Sequence, residues 1–370
     1  MFYVPVVILI YLVHGSLCQD TGNNCIPKVS TECQSNGEEA VCTGANITSL
    51  PDFIDCGFHI SQLTFTSTSI ANLSGNSLPP GLNTLAFYDT PLQYISDDAF
   101  DSCATTLNLI AFGNSMPNHI PNAFLNLTSL QTLEINDVNI QDWNVPVLQK
   151  IGSAVTDFGS TNTGLKAWPV WLKYFSSLTA LQLSTTQIWS IPEDALVHIA
   201  HSLSTFELSY SNLTQIPQAI LALNRLDFLY LKWNQIIDIT NVNPTVKSVD
   251  LTGNRITNIY TETFSNAVNL RDLVLSNNPI TRIAVDAFLK TPLISLQLEG
   301  TNLTRVPLAL LKLTHLMTLD LGENERMVCT CVESSLQTWF FSLPDMEVDG
   351  ECDAVDIREF FTRIAVDCPK

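Results

Sequence analysis

The sequence predicts an α/β solenoid: a right-handed horseshoe with a parallel β-sheet on its concave face and disulfide-bonded caps at its ends. Two observations predict it. A short apolar pattern recurs along the chain at intervals of roughly 20–29 residues. Cysteines cluster before the first of these segments and after the last. Stacked repeats form one elongated unit, so the 370-residue length does not by itself imply several compact domains.

The chain begins with an apolar run that is too short to span a bilayer. It covers residues 2–13 and is followed by the small residues Gly15, Ser16 and Cys18. This pattern predicts a signal peptide over residues 1–18, although the usual basic residues ahead of the run are missing. Cleavage after Gly15, an uncleaved anchor and a bacterial lipoprotein are the alternatives. The C-terminal end carries no apolar tail, so we expect no membrane anchor there and a secreted, extracellular protein.

The charge balance is strongly acidic, with a formal net charge of −19. Nucleic acid is an improbable partner for such a chain, because its phosphates require Lys and Arg. No Lys or Arg occurs between Lys28 and Lys150, while carboxylates continue through that stretch. The acidity is explained either by solubility or by a preference for a basic partner.

Twelve segments between residues 60 and 327 share the apolar pattern. Nearly all of them have two apolar residues two positions apart, followed three positions later by a polar residue, usually Asn, Thr or Ser. The first apolar residue falls at positions 63, 85, 110, 133, 158, 181, 206, 229, 249, 273, 296 and 319. Residues two apart on a strand share a face, so Leu229 and Leu231 should enter the core while Tyr230 and Lys232 face outward. The pattern resembles the leucine-rich repeat.

Polar residues directly after the strands should satisfy the backbone of neighbouring turns. Asn234, Asn254, Asn278 and Asn324 occupy this position in the later repeats. Thr68, Thr90, Thr163 and Thr186 replace Asn in the earlier ones, which predicts a weaker ladder there. Further along each repeat, Phe100, Phe124, Phe264 and Phe288 should stack inside the convex side.

The links between strands predict two kinds of return segment. The longer ones, SDDAFDSCATT and IPEDALVHIAHS, begin with Ser, Asp or Glu and have helical apolar spacing, which predicts capped helices. The shorter ones, IPQAILALN and WPVWLKYF, contain Pro and leave room only for a tighter turn.

Cysteine-rich segments flank the repeats, and a solenoid needs such caps because its core is open at both ends. The C-terminal cap, residues 328–370, contains Cys329, Cys331, Cys352 and Cys368. The N-terminal cap, residues 19–59, contains Cys25, Cys33, Cys42 and Cys56, for which the sequence assigns no pairs. A zinc site is the rival interpretation, but the secretory context favours disulfides. Cys103 is left over as a buried free thiol, an intermolecular link or a partner of Cys18.

Together the caps and repeats resemble the secreted extracellular leucine-rich-repeat proteins over nearly the whole mature chain. The resemblance implies the pairs Cys329–Cys352 and Cys331–Cys368. It also implies an extracellular protein or glycan ligand bound through the concave face, without catalysis. Within that family, the irregular N-terminal cap and Thr-rich strands are similar to the non-catalytic leucine-rich-repeat subunit of Oplophorus-type luciferase, which would make the chain a subunit that stabilises or carries a secreted enzyme.

Five N-glycosylation sequons agree with export. Their asparagines are Asn46, Asn72, Asn126, Asn212 and Asn302. Three of them (Asn46, Asn212 and Asn302) share one position in the repeat, just past the strand. Glycans there would line one edge and leave the concave face open.

The outward strand positions predict a binding site on repeats seven and eight. Aromatic side chains should lie there side by side, flanked by charged residues. The aromatic residues are Tyr210, Phe228, Tyr230 and Trp233, and the flanking residues are Glu207, Lys232, Asp250 and Asp272. Trp and Tyr dominate interface energetics, although loops or a glycan on Asn212 would also account for these rings by covering them.

Catalytic and metal sites are not predicted. His198 and His201 are spaced to share a metal on a helix, but no third ligand is identifiable. We expect no enzyme activity and no cofactor. Two alternatives to ligand recognition stay open, namely the enzyme subunit and a homodimeric matrix protein that packs through its concave faces.

Overall fold

The computed structural model describes residues 33–35, 37–51, 60–240, 242–365 and Cys368. The predicted signal peptide, Cys25 and Cys56 lie outside these residues. The chain divides into two compact units, Met1–Gly164 and Leu165–Lys370.

The described part of the first unit consists of short strands and one α-helix. The strands are β1 (Cys33–Ser35), β2 (Glu39–Thr43), β3 (Gln62–Thr66), β4 (Asn72–Leu73), β5 (Thr84–Tyr88), β6 (Tyr94–Ile95), β7 (Leu109–Gly113), β8 (Thr132–Asn136) and β9 (Asp157–Thr161). The helix is α1 (Val145–Ile151), and a 3₁₀ turn spans Asn122–Asn126.

The main sheet of this unit places strands side by side in chain order. Its order is β1-β2-β3-β5-β7-β8-β9, and every neighbouring pair except β1–β2 is parallel. Behind the sheet the rings of Phe65, Phe87 and Phe112 form a stack, with centroids 5.0 and 5.8 Å apart. Phe100 and Phe124 pack 5.6 Å apart, as the sequence predicts for the convex side.

The second unit repeats this plan and ends in the C-terminal cap. Its strands are β10 (Ala180–Ser184), β11 (Thr205–Ser209), β12 (Phe228–Tyr230), β13 (Ser248–Asp250), β14 (Asn258–Ile259), β15 (Asp272–Val274), β16 (Arg282–Ile283), β17 (Ser295–Gln297), β18 (Thr318–Asp320), β19 (Glu347–Asp349), β20 (Glu351–Cys352) and β21 (Val355–Asp356). Its helices are α2 (Leu336–Ser342) and α3 (Ile357–Glu359), followed by a π-helical turn at Phe360–Ile364. Five 3₁₀ turns span Val170–Tyr174, Val197–Ile199, Gln218–Ala222, Leu308–Lys312 and Cys331–Glu333.

The main sheet of this unit is parallel in every described pair. Its order is β10-β11-β12-β13-β15-β17-β18-β19. Leu229 and Leu231 are fully buried, whereas Tyr230 and Lys232 lie on the solvent side, as the two-residue period predicts. Phe264 and Phe288 stack 5.8 Å apart behind the sheet, which confirms their predicted place in the core.

The asparagine ladder forms as predicted. The Asn278 carboxamide accepts a hydrogen bond from the Ile256 backbone N–H (3.1 Å) and donates to the carbonyls of Leu251 and Leu275 (2.9 and 3.0 Å). Asn234, Asn254 and Asn324 make the same kind of contacts in their own turns. Each amide therefore ties adjacent repeats together through backbone groups that would otherwise be buried unpaired.

Hydroxyl groups take over this role in the earlier repeats. The Thr68 and Thr90 hydroxyls lie 2.9 Å apart, and the Thr90 backbone N–H donates to the Ser115 hydroxyl at 2.8 Å. Thr186 contacts the Ser211 hydroxyl at 2.7 Å. A hydroxyl reaches fewer backbone groups than a carboxamide, because it is shorter and carries a single donor.

The prediction of capped helices in the long links is wrong. Residues 97–106 form successive turns closed by bonds three residues apart, such as Cys103 N–H to Phe100 C=O and Thr106 N–H to Cys103 C=O. The second long link contains only the 3₁₀ turn Val197–Ile199. Inward-facing residues three apart, such as Phe100 and Cys103, fit three-residue turns as well as an α-helix, so apolar spacing alone did not separate the two.

The cysteines of the C-terminal cap pair as the family resemblance implies. The structure contains the disulfides Cys329–Cys352 and Cys331–Cys368. At the other end Cys33 bonds to Cys42, which faces it in the antiparallel pair β1–β2. Cys103 is a free, buried thiol whose pKa is raised to about 11 by burial. Of the three alternatives for Cys103, the structure therefore shows the buried free thiol.

The described residues contain no helix that is both long and apolar enough to cross a membrane.

Candidate functional site

The candidate site lies on the solvent-facing side of the second unit's sheet. In one row of the sheet, Tyr230 on β12 sits between Glu207 on β11 and Asp250 on β13. In the neighbouring row, Phe228 and Asp272 flank Ser248. Backbone register therefore places five of the eight predicted site residues on four neighbouring strands, namely β11, β12, β13 and β15.

Two aromatic rings of the site lie on β12. Phe228 and Tyr230 are half-buried, with centroids 6.5 Å apart and an interplanar angle of 5°. The Lys232 ammonium lies 5.6 Å from the centroid of the Tyr230 ring, within the range of a cation–π contact. The Tyr230 ring therefore already contacts a cation of its own chain, Lys232.

The other two rings lie beyond the strands, which differs from the prediction that all four share outward strand positions. Tyr210 and Trp233 follow the ends of β11 and β12, on the turns that lead out of the sheet. Their rings stack with centroids 6.1 Å apart at 16°. They remain 53% and 46% exposed, so the stack is open to solvent.

These two residues occupy left-handed backbone conformations, with φ of 50° at Tyr210 and 53° at Trp233. The same turn position recurs along the repeats, where residues such as Asn114 and Asn277 take the same conformation. In most of these turns the backbone N–H donates to a carbonyl of the next turn, as that of Tyr210 does to Lys232 at 2.8 Å. Asn and Gly tolerate positive φ, whereas a large aromatic residue is strained there by about 1–3 kcal/mol.

Gly253 completes the site and was missed by the sequence analysis. It occupies the same left-handed turn position in the next repeat, with φ of 68°. A Cβ at Gly253 would lie 2.5 Å from the Trp233 indole, so the ring rests against a bare backbone. The only sequence signal was a Gly where most other repeats have a polar residue, and it does not reveal a packing partner.

Charges around Tyr230 are predominantly negative. Burial, together with the negative charges of Asp250, Glu207 and Asp272, raises the pKa of Tyr230 to about 12. Burial also raises the pKa of Glu207 above its usual range, an effect that Lys232 opposes and Asp250 reinforces. Burial raises the pKa of Asp272, against the opposing charge of Arg271. Such a surface favours a ligand that brings positive charge and planar or apolar groups.

The sequon asparagines are all exposed in the structure: Asn46, Asn72, Asn126, Asn212 and Asn302. Asn212 accepts a hydrogen bond from the Gln235 amide (3.2 Å), and Asn126 donates one to Asp101 (3.0 Å). Their side chains are accessible from solvent, and their glycosylation remains a prediction.

The two candidate metal-binding histidines have separate partners. A ring nitrogen of His198 lies 3.1 Å from the Leu172 carbonyl, and one of His201 lies 2.7 Å from the Asn224 amide. Among the described residues, no group of three His, Cys, Asp or Glu side chains could hold a metal ion.

Comparisons with protein families identify the repeats. The leucine-rich-repeat family model matches residues 176–236 and 244–303. The model of the BspA type leucine-rich-repeat region matches residues 81–153. A search of curated proteins found no match.

Solved structures with similar folds cover most of the chain. The internalin InlF of Listeria monocytogenes is 19% identical, with a TM-score of 0.64 over 85% of this chain and 87% of the internalin. A chain in the complex of Latrophilin 3, Unc5D and the leucine-rich-repeat protein FLRT2 is 17% identical, with a TM-score of 0.59 over 92% and 99%. A chain in the Drosophila Toll–Spätzle complex is 19% identical, with a TM-score of 0.56 over 75% and 40%. The predicted fold class is confirmed: the chain is a leucine-rich-repeat solenoid.

Proposed function

We propose that this chain is an extracellular recognition protein that binds a protein or glycan ligand through its aromatic patch, defined as Tyr210, Phe228, Tyr230 and Trp233. The observation that carries the proposal is the exposed stack of Tyr210 and Trp233. Two large rings are held in a strained turn conformation, where they fill no core. Asn, which holds this turn position at Asn114 and Asn277, would serve the fold there with less strain.

The energetics of such a surface suit recognition. Trp and Tyr contribute large contact areas with few rotatable bonds, and they dominate measured binding hot spots. The surrounding carboxylates add specificity. A ligand without a compensating positive charge would remove water from them and leave their negative charges unpaired.

The extracellular setting rests on the predicted signal peptide, the disulfides and the five exposed sequons. Disulfides form and persist in oxidising compartments. Two of the similar chains come from structures of protein complexes, one of Toll with Spätzle and one of Latrophilin 3, Unc5D and FLRT2, and this favours a protein ligand over a glycan. The leucine-rich-repeat fold is typically a non-catalytic scaffold, and we propose no enzymatic role.

The proposal is tested with a double variant, Tyr210→Asn with Trp233→Asn. Asparagine already holds this turn conformation at Asn114 and Asn277, so we expect the fold to be retained. Tagged wild type and variant are used to capture partners from the native secretion after mild crosslinking, with mass spectrometry and a glycan array as readouts. We expect the variant to lose at least about tenfold in affinity for the captured ligand.

Trp189→Ala is the matched control, since this ring is 67% exposed and lies outside the patch. Equal capture by the wild type and the double variant would contradict the proposal. Co-purification of a stoichiometric secreted enzyme would instead support the role of an enzyme subunit. A dimer in light scattering that the double variant abolishes would support homodimeric packing.

A further inference from the structure

The solvent-facing side of the second unit's sheet is acidic well beyond the aromatic patch. Six carboxylates extend from β11 to β19, either on the strands or directly after them. They form what we call the acidic face: Glu207, Asp250, Asp272, Glu299, Asp320 and Asp349.

Backbone register holds these carboxylates close to one another. Asp320 and Asp349 are direct neighbours on β18 and β19, and Glu207 and Asp250 flank Tyr230 in the same row. Partial burial and the charges of Asp320, Glu323 and Asp349 raise the pKa of Glu299. Burial likewise raises the pKa of Asp320, with Asp349 and Glu323 adding to it. The folded chain thus concentrates like charges that repel one another.

Few cations of the chain offset this charge. Lys232 lies over the Tyr230 ring, and Arg271 opposes the charge of Asp272. The ion pairs in the described part of this unit engage other carboxylates: Asp227, Asp286, Glu333 and Glu359. A positively charged occupant would therefore find most of the acidic face uncompensated.

Charge and shape together select the class of occupant. A second copy of this face, a nucleic acid and a sulfated glycan would each bring like charge against the carboxylates. Arginine suits both parts of the surface, because its planar guanidinium stacks on aromatic rings and bonds to carboxylates with two parallel donors. The open Tyr210–Trp233 stack adjoins the strands that begin the acidic face.

We propose that the acidic face and the Tyr210–Trp233 stack together bind a basic, arginine-containing segment of a partner protein. This inference rests on the proposed function and names the class of its ligand. The arginine side chains contact the carboxylates along the strands, and one guanidinium lies on the exposed ring stack.

The test uses the full chain and fluorescent peptides in which Arg, Lys or Glu alternates with Gly-Ser, measured by fluorescence anisotropy. We expect the Arg peptide to bind several-fold more tightly than the Lys peptide. Only the Arg guanidinium both stacks on aromatic rings and donates two parallel hydrogen bonds to a carboxylate. We expect no binding of the Glu peptide. Affinity for the Arg peptide should fall about fivefold in the variant Asp320→Asn with Asp349→Asn. The Tyr210→Asn, Trp233→Asn variant should remove most of the preference for Arg over Lys.

The matched control neutralises two exposed carboxylates elsewhere, Glu193→Gln with Glu262→Gln. This control distinguishes binding at the acidic face from the general attraction of basic peptides to a chain with net charge −19. An equal loss of affinity in the control pair would overturn the inference, and so would equal binding of the Arg and Lys peptides. Circular dichroism and thermal melting establish that each variant is folded. If capture of the native partner depends on Tyr210 and Trp233 while the Arg peptide fails to bind, the inference fails and the proposed function stands.

Discussion

At the scale of single residues, Tyr210 and Trp233 combine the usual backbone role of this turn position with large aromatic side chains. They donate the same backbone hydrogen bond to the next turn as smaller residues do at this position in other repeats. They also carry side chains that the left-handed conformation disfavours. Gly253 accommodates the Trp233 ring in the next repeat. The turn therefore presents aromatic surface to solvent at a cost in strain, which is a common property of binding sites.

Glu207 makes a pH-dependent contribution to stability with a definite sign. Because burial raises its folded pKa above the ordinary value, the native chain holds this proton more strongly than the unfolded chain does. Stability from Glu207 is therefore fully present below the ordinary pKa and is lost as the pH rises through the raised value. We predict that Glu207→Gln raises the melting temperature at about pH 7.5 and leaves it unchanged at about pH 4, where wild-type Glu207 is also neutral.

Differential scanning calorimetry at the two pH values measures this effect. Glu262→Gln is the control, because Glu262 is exposed and should shift the melting temperature little at either pH. A destabilised Glu207→Gln variant at about pH 7.5 would show that the favourable interactions of the carboxylate outweigh its burial, contrary to the prediction.

At the scale of elements, the asparagine ladder joins each turn to its neighbours. We predict that Asn278→Ala lowers the free energy of unfolding by about 2–3 kcal/mol, because it leaves the Ile256 N–H and the Leu251 and Leu275 carbonyls without this partner. Urea unfolding followed by circular dichroism measures the change. Asn269→Ala is the control: its side chain is exposed and donates one bond, to the Pro244 carbonyl, so a change within about 0.5 kcal/mol is expected. Equal losses in the two variants would refute the ladder's role.

The same element scale shows what the sequence could predict. The strand positions, the buried Leu229 and Leu231 and the role of Asn278 follow from a two-residue period and a recurring polar residue after the strand, which local chemistry determines. The backbone angle at Trp233 does not follow from its identity, since aromatic residues rarely adopt positive φ. It is imposed by the turns on either side. The sequence does not predict the packing of Gly253 against the Trp233 ring either, because that contact depends on the same backbone angle.

At the scale of the whole chain, the ladder changes character along the repeats. Solenoid stability is approximately a sum of repeat terms and nearest-neighbour terms, so a local difference stays local. Strands β5 and β7 are followed by the Thr90 and Ser115 hydroxyls, whereas β13 and β15 are followed by the Asn254 and Asn278 carboxamides. The apolar residues behind both sets are fully buried, as at Leu85 and Leu273. The two groups of strands share a buried apolar layer and differ in the polar group that follows each strand.

We predict that backbone amides of β5 and β7 exchange with deuterium about fivefold faster than those of β13 and β15. The turns after β5 and β7 have one fewer buried hydrogen bond each. This lowers the free energy of local opening by roughly 1 kcal/mol, and hydrogen exchange measures that free energy directly. Native-state hydrogen exchange with peptide-level mass spectrometry measures the rates. Asn278→Ala should bring β15 toward the rate of β7 while leaving β5 unchanged, because the ladder acts only between adjacent turns. Uniform acceleration of β5 along with β15 would mean that the repeats open as one cooperative body, and the nearest-neighbour account would then fail.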